Sequence, residues 1–135
     1  MRLMSFSLTT EQIRARTKTV TRRLGWGNLQ QGERFGAIEK GQGLPRGTHV
    51  VRLGVLECVS NWPEPLWAVT DADVALEGFP GMTRAEFIEM FCELSGYRCE
   101  PTTRVNRILF RYVEEGRPTA EDAEGAGGDG QSDGG

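Results

Sequence analysis

Apolar residues along the first 113 positions fall into short runs of two periods. Leu3 to Leu8 predicts a strand, and Thr9 with Gln12 has the spacing of a capping box that opens a short helix through Ile13 to about Arg16. Arg34-Phe35-Gly36-Ala37-Ile38 predicts another strand, with Gly36 marking a bulge or a close backbone approach. The longest β-like run, His49 to Val59, is apolar on both parities, as in a strand of a closed or covered sheet. Asn61 to Trp67 holds Pro63 and Pro65. Each removes a ladder donor, so the expectation is an ordered connection pinned by Trp62 and Trp67, not a regular strand. Thr70 with Asp73 predicts a helix ending near Glu77, with Gly78 as the residue that terminates it. Thr83 with Glu86 predicts a second, whose Phe87, Met90, Phe91 and Leu94 share one face. Asn106 to Val113 alternates as a closing strand. Five or six short strands with three short inserted helices give an α+β fold, a small mixed β-barrel in one domain.

One stretch fits neither period. Thr17-Lys18-Thr19-Val20-Thr21-Arg22-Arg23 would carry functional groups on both faces of a strand, with Thr17, Thr19, Thr21 and Arg23 on one and Lys18 and Arg22 beside Val20 on the other. A threonine hydroxyl becomes a useful nucleophile when a neighbouring base takes its proton. Lysine, with an ordinary pKa of ~10.4, can be that base where burial or nearby cations lower it. Arg16, Arg22 and Arg23 are the candidate cations. On an ideal strand Lys18 and Thr21 point to opposite faces, so their pairing requires Lys18 to sit at a loop or bulge. Glu77 lies in the last turn of its helix, where a carboxylate opposes the macrodipole by about 0.3 to 1 kcal/mol, so Lys18 or Arg23 would suit it as a partner. The same groups can equally bind a phosphate or a base edge without cleaving anything. Trp26 either stacks on a base or plugs the core.

Charge is unevenly divided. From Glu114 onward seven carboxylates face Arg117 alone, a net of −6, and since the whole 135-residue chain is −3 the body before it is +3. Residues 114–135 are expected to be a disordered, acidic, Gly-rich tail, and residues 1–113 the folded domain. Cations at Arg14, Arg16, Lys18, Arg22 and Arg23 would suit an anionic partner if they form a patch, although scattered, solvated charges are the commoner arrangement. Cys58, Cys92 and Cys99 form no C-x-x-C pair and His49 is the sole histidine, so no structural metal is expected. No N-terminal segment reads as a signal peptide and no apolar run approaches the ~20 residues of a membrane span, so the expectation is a cytoplasmic protein with free thiols, not acting at a membrane.

Lys18-x-x-Thr21-x-Arg23, preceded by an apolar strand and a short helix, resembles the ASCH family, small domains with a PUA-like β-barrel. Matches continue in Val74 to Phe79, in the helix Ala85 to Cys92 and in Val105 to Phe110, so the resemblance spans roughly residues 3 to 113. The family usually has Gly two residues before the Lys. This chain has Arg16, which tolerates positive φ poorly, so a different approach to the motif is expected. The resemblance implies recognition of RNA, a nucleotide or a modified nucleoside in a cationic cleft, with no cofactor. Some members are amidohydrolases that remove the acetyl group of N4-acetylcytidine with a Lys, a Thr and a Glu, which match Lys18, Thr21 and Glu77 as catalytic candidates. Arg22, Arg23 and Trp26 are the candidate ligand contacts. A protein-contact module without a nucleic-acid ligand is the third alternative.

Overall fold

The structure, a computed structural model, describes residues 1–41, 44–96 and 99–114, so the expected tail lies outside it except for Glu114. The elements in chain order are β1 (Leu3–Ser5), α1 (Thr10–Arg14), β2 (Val20–Arg23), β3 (Arg34–Ile38), β4 (Arg52–Pro65), a 3-10 turn (Leu66–Ala68), α2 (Asp71–Leu76), α3 (Arg84–Leu94) and β5 (Arg104–Val113). The strands form one sheet in the order β1-β3-β4-β5-β2, curled into a half-barrel. β1 runs parallel to β3, and the other neighbours are antiparallel. This is the expected mixed α+β architecture, with a shorter β1 than the Leu3 to Leu8 run.

Two apolar clusters support the sheet. Met4, Phe6, Ile13, Leu29, Phe35, Leu56, Ile108 and Phe110 form the larger one, joining α1 to the strands. Leu66, Val69, Val74, Phe87 and Val105 pack α2 and α3 against the end of β5.

The prolines do not end β4. The strand continues through both, with Pro63 opposite Asn106 and Pro65 opposite Arg104. Lying two residues apart, they turn their missing N–H groups to the same edge, and β3 pairs with β4 no further than Glu57, so that edge carries no ladder to interrupt. Trp62 and Trp67 are not buried anchors of this segment but are 45% and 50% exposed. Gly36 is a close approach, since a Cβ there would meet Leu3 Cδ2 at 2.8 Å, and the register shift falls one step later, between Ala37 and Ile38.

The expected capping box at Thr83 and Glu86 is present, whereas Thr9 makes no side-chain cap. Gln12 is engaged elsewhere: its Nε2 donates to the carbonyl of Gly78 at 3.0 Å and so ties α1 to the end of α2. Arg16 also differs from expectation, because it adopts φ 61° and keeps the left-handed path that a Gly would take. Its guanidinium lies 5.5 Å from the centre of the Tyr112 ring and pairs with Glu114 at 2.9 Å, contacts that offset a cost of roughly 1 to 2 kcal/mol for that backbone.

Cys92 and Cys99 are joined by a disulfide, contrary to the expectation of free thiols, and Cys58 is buried and free. The Cys92 and Cys99 Cα atoms lie 5.0 Å apart, within the range a disulfide spans. No helix among the described residues is long and apolar enough to cross a membrane.

Candidate functional site

Lys18 lies in the link before β2, and this resolves its parity problem: it escapes strand alternation and lines the same cleft as Thr21. The link is held against the end of α2, where the Thr19 N–H donates to the carbonyl of Leu76 at 3.0 Å. Lys18 Nζ donates to the Glu77 carbonyl at 2.6 Å and to Glu77 Oε1 at 3.2 Å. The ammonium therefore sits at the negative end of α2 and also neutralises the carboxylate that the macrodipole disfavours there. Gly78 follows with φ 108°, the turn that lets the chain leave the helix directly after Glu77.

The Lys18 and Glu77 side chains are only 3% and 4% exposed. Burial pulls Lys18 below its ordinary pKa; Glu77 opposes that shift, while Arg23 and Arg22 add to it. Thr21 is buried too and lines the same cleft, though its hydroxyl is bonded to Arg23 and the Lys18 ammonium to Glu77, not to each other. On β2, Thr21 and Arg23 share a face as alternation predicts, and Arg23 Nε donates to Thr21 Oγ1 at 3.2 Å. Arg23 Nη2 donates to the Ser5 carbonyl at 2.6 Å, and its guanidinium lies 4.9 Å from the centre of the Phe6 ring. Burial pulls Arg23 down to about 10, which leaves it charged at neutral pH. Arg23 pairs with no carboxylate among the described residues and lines the cleft.

Arg22, on the other parity, is 1% exposed and surrounded by carboxylates. Its Nη1 donates to Glu77 Oε2 at 3.0 Å, its Nη2 to Asp73 Oδ2 at 2.6 Å and to Glu64 Oε2 at 2.7 Å. Arg107 binds both oxygens of Asp73, at 2.7 and 3.1 Å. Burial alone would lower Arg22, but hydrogen bonds to Asp73 and Glu64 and the charge of Glu77 hold it above its ordinary value. Arg14 pairs with Glu11 and Arg16 with Glu114. The run of cations in the sequence is thus not a patch facing solvent, because folding gives each of them except Arg23 a carboxylate.

The cleft, with a volume of about 390 Å³, opens where the two apolar clusters meet. Lys18, Thr21, Arg22, Arg23 and Glu77 form its polar end, Arg22 with its charge already met by carboxylates, and Phe79, Phe87, Met90, Phe91 and Leu94 form an apolar wall. Trp26 also lines it, with φ 65° in a turn after Gly25 at 85°. Arg2 covers its ring at 4.7 Å and Phe35 packs against it at 6.2 Å, so Trp26 both joins the core and borders the cleft. A bulky residue in left-handed backbone costs about 1 to 3 kcal/mol, an outlier of the kind that gathers at ligand sites. His49 is not among the lining residues. Among the described residues no group of three His, Cys, Asp or Glu is placed to hold a metal ion.

The sequence reading missed Asp73 and Glu64 as parts of this network. Asp73 carries a signal, since it precedes Glu77 by four residues and so shares its helix face. Glu64 sits between the two prolines and carries none.

No family model matches the chain, and no curated protein matches it in sequence. Solved structures do. A protein of Enterococcus faecalis V583 from the family DUF984 superposes with a TM-score of 0.56 at 16% identity, over 79% of this chain and 71% of that one. An ASCH domain from Lactobacillus crispatus JV V101 superposes with a TM-score of 0.56 at 13% identity, over 82% and 79%. Likeness at such identity speaks for architecture alone, and by that measure this chain has an ASCH-type fold.

Proposed function

We propose that the cleft recognises a modified nucleoside or a ligand of similar size and planarity. The observation that carries this reading is the pairing of a buried polar cluster, Lys18, Thr21, Arg23 and Glu77, with an apolar wall and Trp26 in one cleft. A planar heterocycle presents the complementary surfaces: π faces for Trp26 and the phenylalanines, and edge donors and acceptors for the polar end. The placement of the cations favours a nucleoside over a polyanion, because Arg22 is enclosed by carboxylates and only Arg23 brings uncompensated charge to the cleft. Of the three alternatives the resemblance left open, the protein-contact module has no supporting feature at this site.

A second reading, hydrolysis of an acyl amide on such a base, is favoured by a specific observation. Lys18 is buried with its pKa lowered, and Thr21, which lines the same cleft, receives an Arg23 N–H on its hydroxyl oxygen. That hydrogen bond favours the alkoxide a nucleophilic threonine must develop. Lys18 is the base that takes the Thr21 proton, Thr21 Oγ the nucleophile toward an exocyclic amide carbonyl, Glu77 the group that orients Lys18, and Arg23 the ligand holder; the C–N bond breaks as Lys18 passes the proton to the departing amine, and water then cleaves the acyl ester on Thr21 to release the carboxylic acid. N4-acetylcytidine is the test substrate that the family resemblance supplies.

The test of recognition is thermal stability in the presence of free nucleosides, acylated cytidines included, and of a single-stranded RNA. A bound ligand at 100 times its Kd stabilises by about 2.7 kcal/mol. The expected result is a rise in melting temperature with at least one nucleoside that persists at high salt. Binding to RNA alone, weakening with a slope of about −0.7 per phosphate as salt rises, would instead establish a polyanion reader.

A further inference from the structure

We propose that Arg22 is a positioning residue of this site: by taking one oxygen of Glu77 while Glu64 and Asp73 hold its other edge, it prevents that carboxylate from serving Lys18 alone and so leaves the lysine able to give up its proton. The proposal rests on the reading of Lys18 as a base, and it concerns a residue outside the Lys-x-x-Thr-x-Arg pattern.

The geometry is that of a shared carboxylate. Glu77 Oε1 accepts from Lys18 Nζ at 3.2 Å, and Oε2 accepts from Arg22 Nη1 at 3.0 Å. Arg22 cannot swing away to give Lys18 both oxygens, because its Nε and Nη2 are bound by Glu64 at 3.1 and 2.7 Å and Nη2 also by Asp73 at 2.6 Å. Asp73 is fixed in turn by the two bonds from Arg107. A lysine alone with a buried carboxylate would keep its proton, since the ion pair favours the charged form of both partners. A second cation on the same carboxylate weakens that hold and repels the ammonium directly. The charged groups facing Lys18 are Glu77 from the end of α2 and Arg22 and Arg23 from β2. From β5 the Tyr112 hydroxyl donates to the Lys18 carbonyl at 2.6 Å, and burial pushes this phenol up to about 12, so it stays neutral.

The chain contains two lysines, Lys18 and the exposed Lys40, so each side chain is observable separately in protein labelled with ¹³C and ¹⁵N at lysine. The titration midpoint of Lys18, read from its Cε and Nζ shifts with Lys40 as internal reference, needs neither ligand nor turnover. Failure of this proposal and failure of nucleoside recognition are therefore separate results. In the wild type Lys18 is expected to titrate below the ordinary lysine value of ~10.4. Arg22→Gln should raise its midpoint by about one pH unit or more, the size of effect that a neighbouring charge exerts. Arg22→Lys, whose added lysine signal is identified by its absence from the wild-type spectrum, should restore most of the difference, a rescue that a merely structural role would not give. An unchanged midpoint in folded Arg22→Gln would overturn the proposal. Should Arg22→Gln fail to fold, Asp73→Asn decides: it keeps a hydrogen-bond acceptor but removes a charge that offsets Arg22, so the Lys18 midpoint should fall. A midpoint unchanged or raised in Asp73→Asn would overturn the proposal equally.

Discussion

Replacing Glu77 by Ala is expected to lower the melting temperature at pH 7 by at least about 10 °C. The carboxylate is the common partner of Lys18 and Arg22, both almost wholly buried, and its removal leaves Lys18 without an anion. Breaking a buried pair in this way costs about 3 to 5 kcal/mol, which at about 4 °C per kcal/mol for a domain of this size gives the predicted drop. The loss should also depend on pH. In the variant, the folded pKa of Lys18 lies further below its unfolded value of ~10.4, so between the two values the unfolded chain binds more protons. Stability therefore rises with pH through that window and levels off above it. Urea midpoints measured from pH 6 to 10 check both claims, and a variant that melts with the wild type would mean that Glu77 does not carry this charge.

Thr21→Val should abolish turnover of an acylated nucleoside, by a factor of about a thousand or more, as loss of a nucleophile does, while binding is retained. Valine preserves the shape of threonine and removes the hydroxyl, and Arg23 keeps its bond to the Ser5 carbonyl. Thr21→Ser should keep part of the rate because the hydroxyl remains. Lys18→Arg should be inactive, since a guanidinium holds its proton above pH 12 and cannot act as base. Acyl release from N4-acetylcytidine, followed with purified wild type and variants, measures all three. Wild-type rates in Thr21→Val and Lys18→Arg would remove both residues from the proposed roles. Absence of hydrolysis in the wild type across a panel of acylated nucleosides would leave recognition without catalysis.

The helices were legible because their ends are written locally: Thr83 and Glu86 announce α3, and Thr70 and Gly78 bracket α2. Thr9 and Gln12 carry an equally good local signal, yet Gln12 is claimed by Gly78, 66 positions away, a competition that no window of sequence can display. The prolines of β4 misled for a related reason. A missing donor matters only if a neighbour would have accepted from it, and which edge of a strand is paired is a property of the sheet. Lys18, Thr21, Arg23 and Glu77 were recognisable as a set through family pattern and helix-end electrostatics. The fate of the cations was not. Arg22 and Arg23 are adjacent, chemically identical and both border the cleft, but strand alternation turns Arg22 to the carboxylates of α2 and β4 while Arg23 meets none, so a charge count along the chain overstated what reaches a ligand.

The most direct measurement of nucleoside recognition in this cleft is the lysine spectrum during titration with free nucleosides in 0.5 M salt, where surface attraction between charges is screened. If the cleft is the site, the Lys18 Cε and Nζ signals move saturably with at least one modified nucleoside while Lys40, which does not line the cleft, stays in place. A Lys18 signal unmoved by every nucleoside, with single-stranded RNA displacing only Lys40 at low salt, would contradict the account.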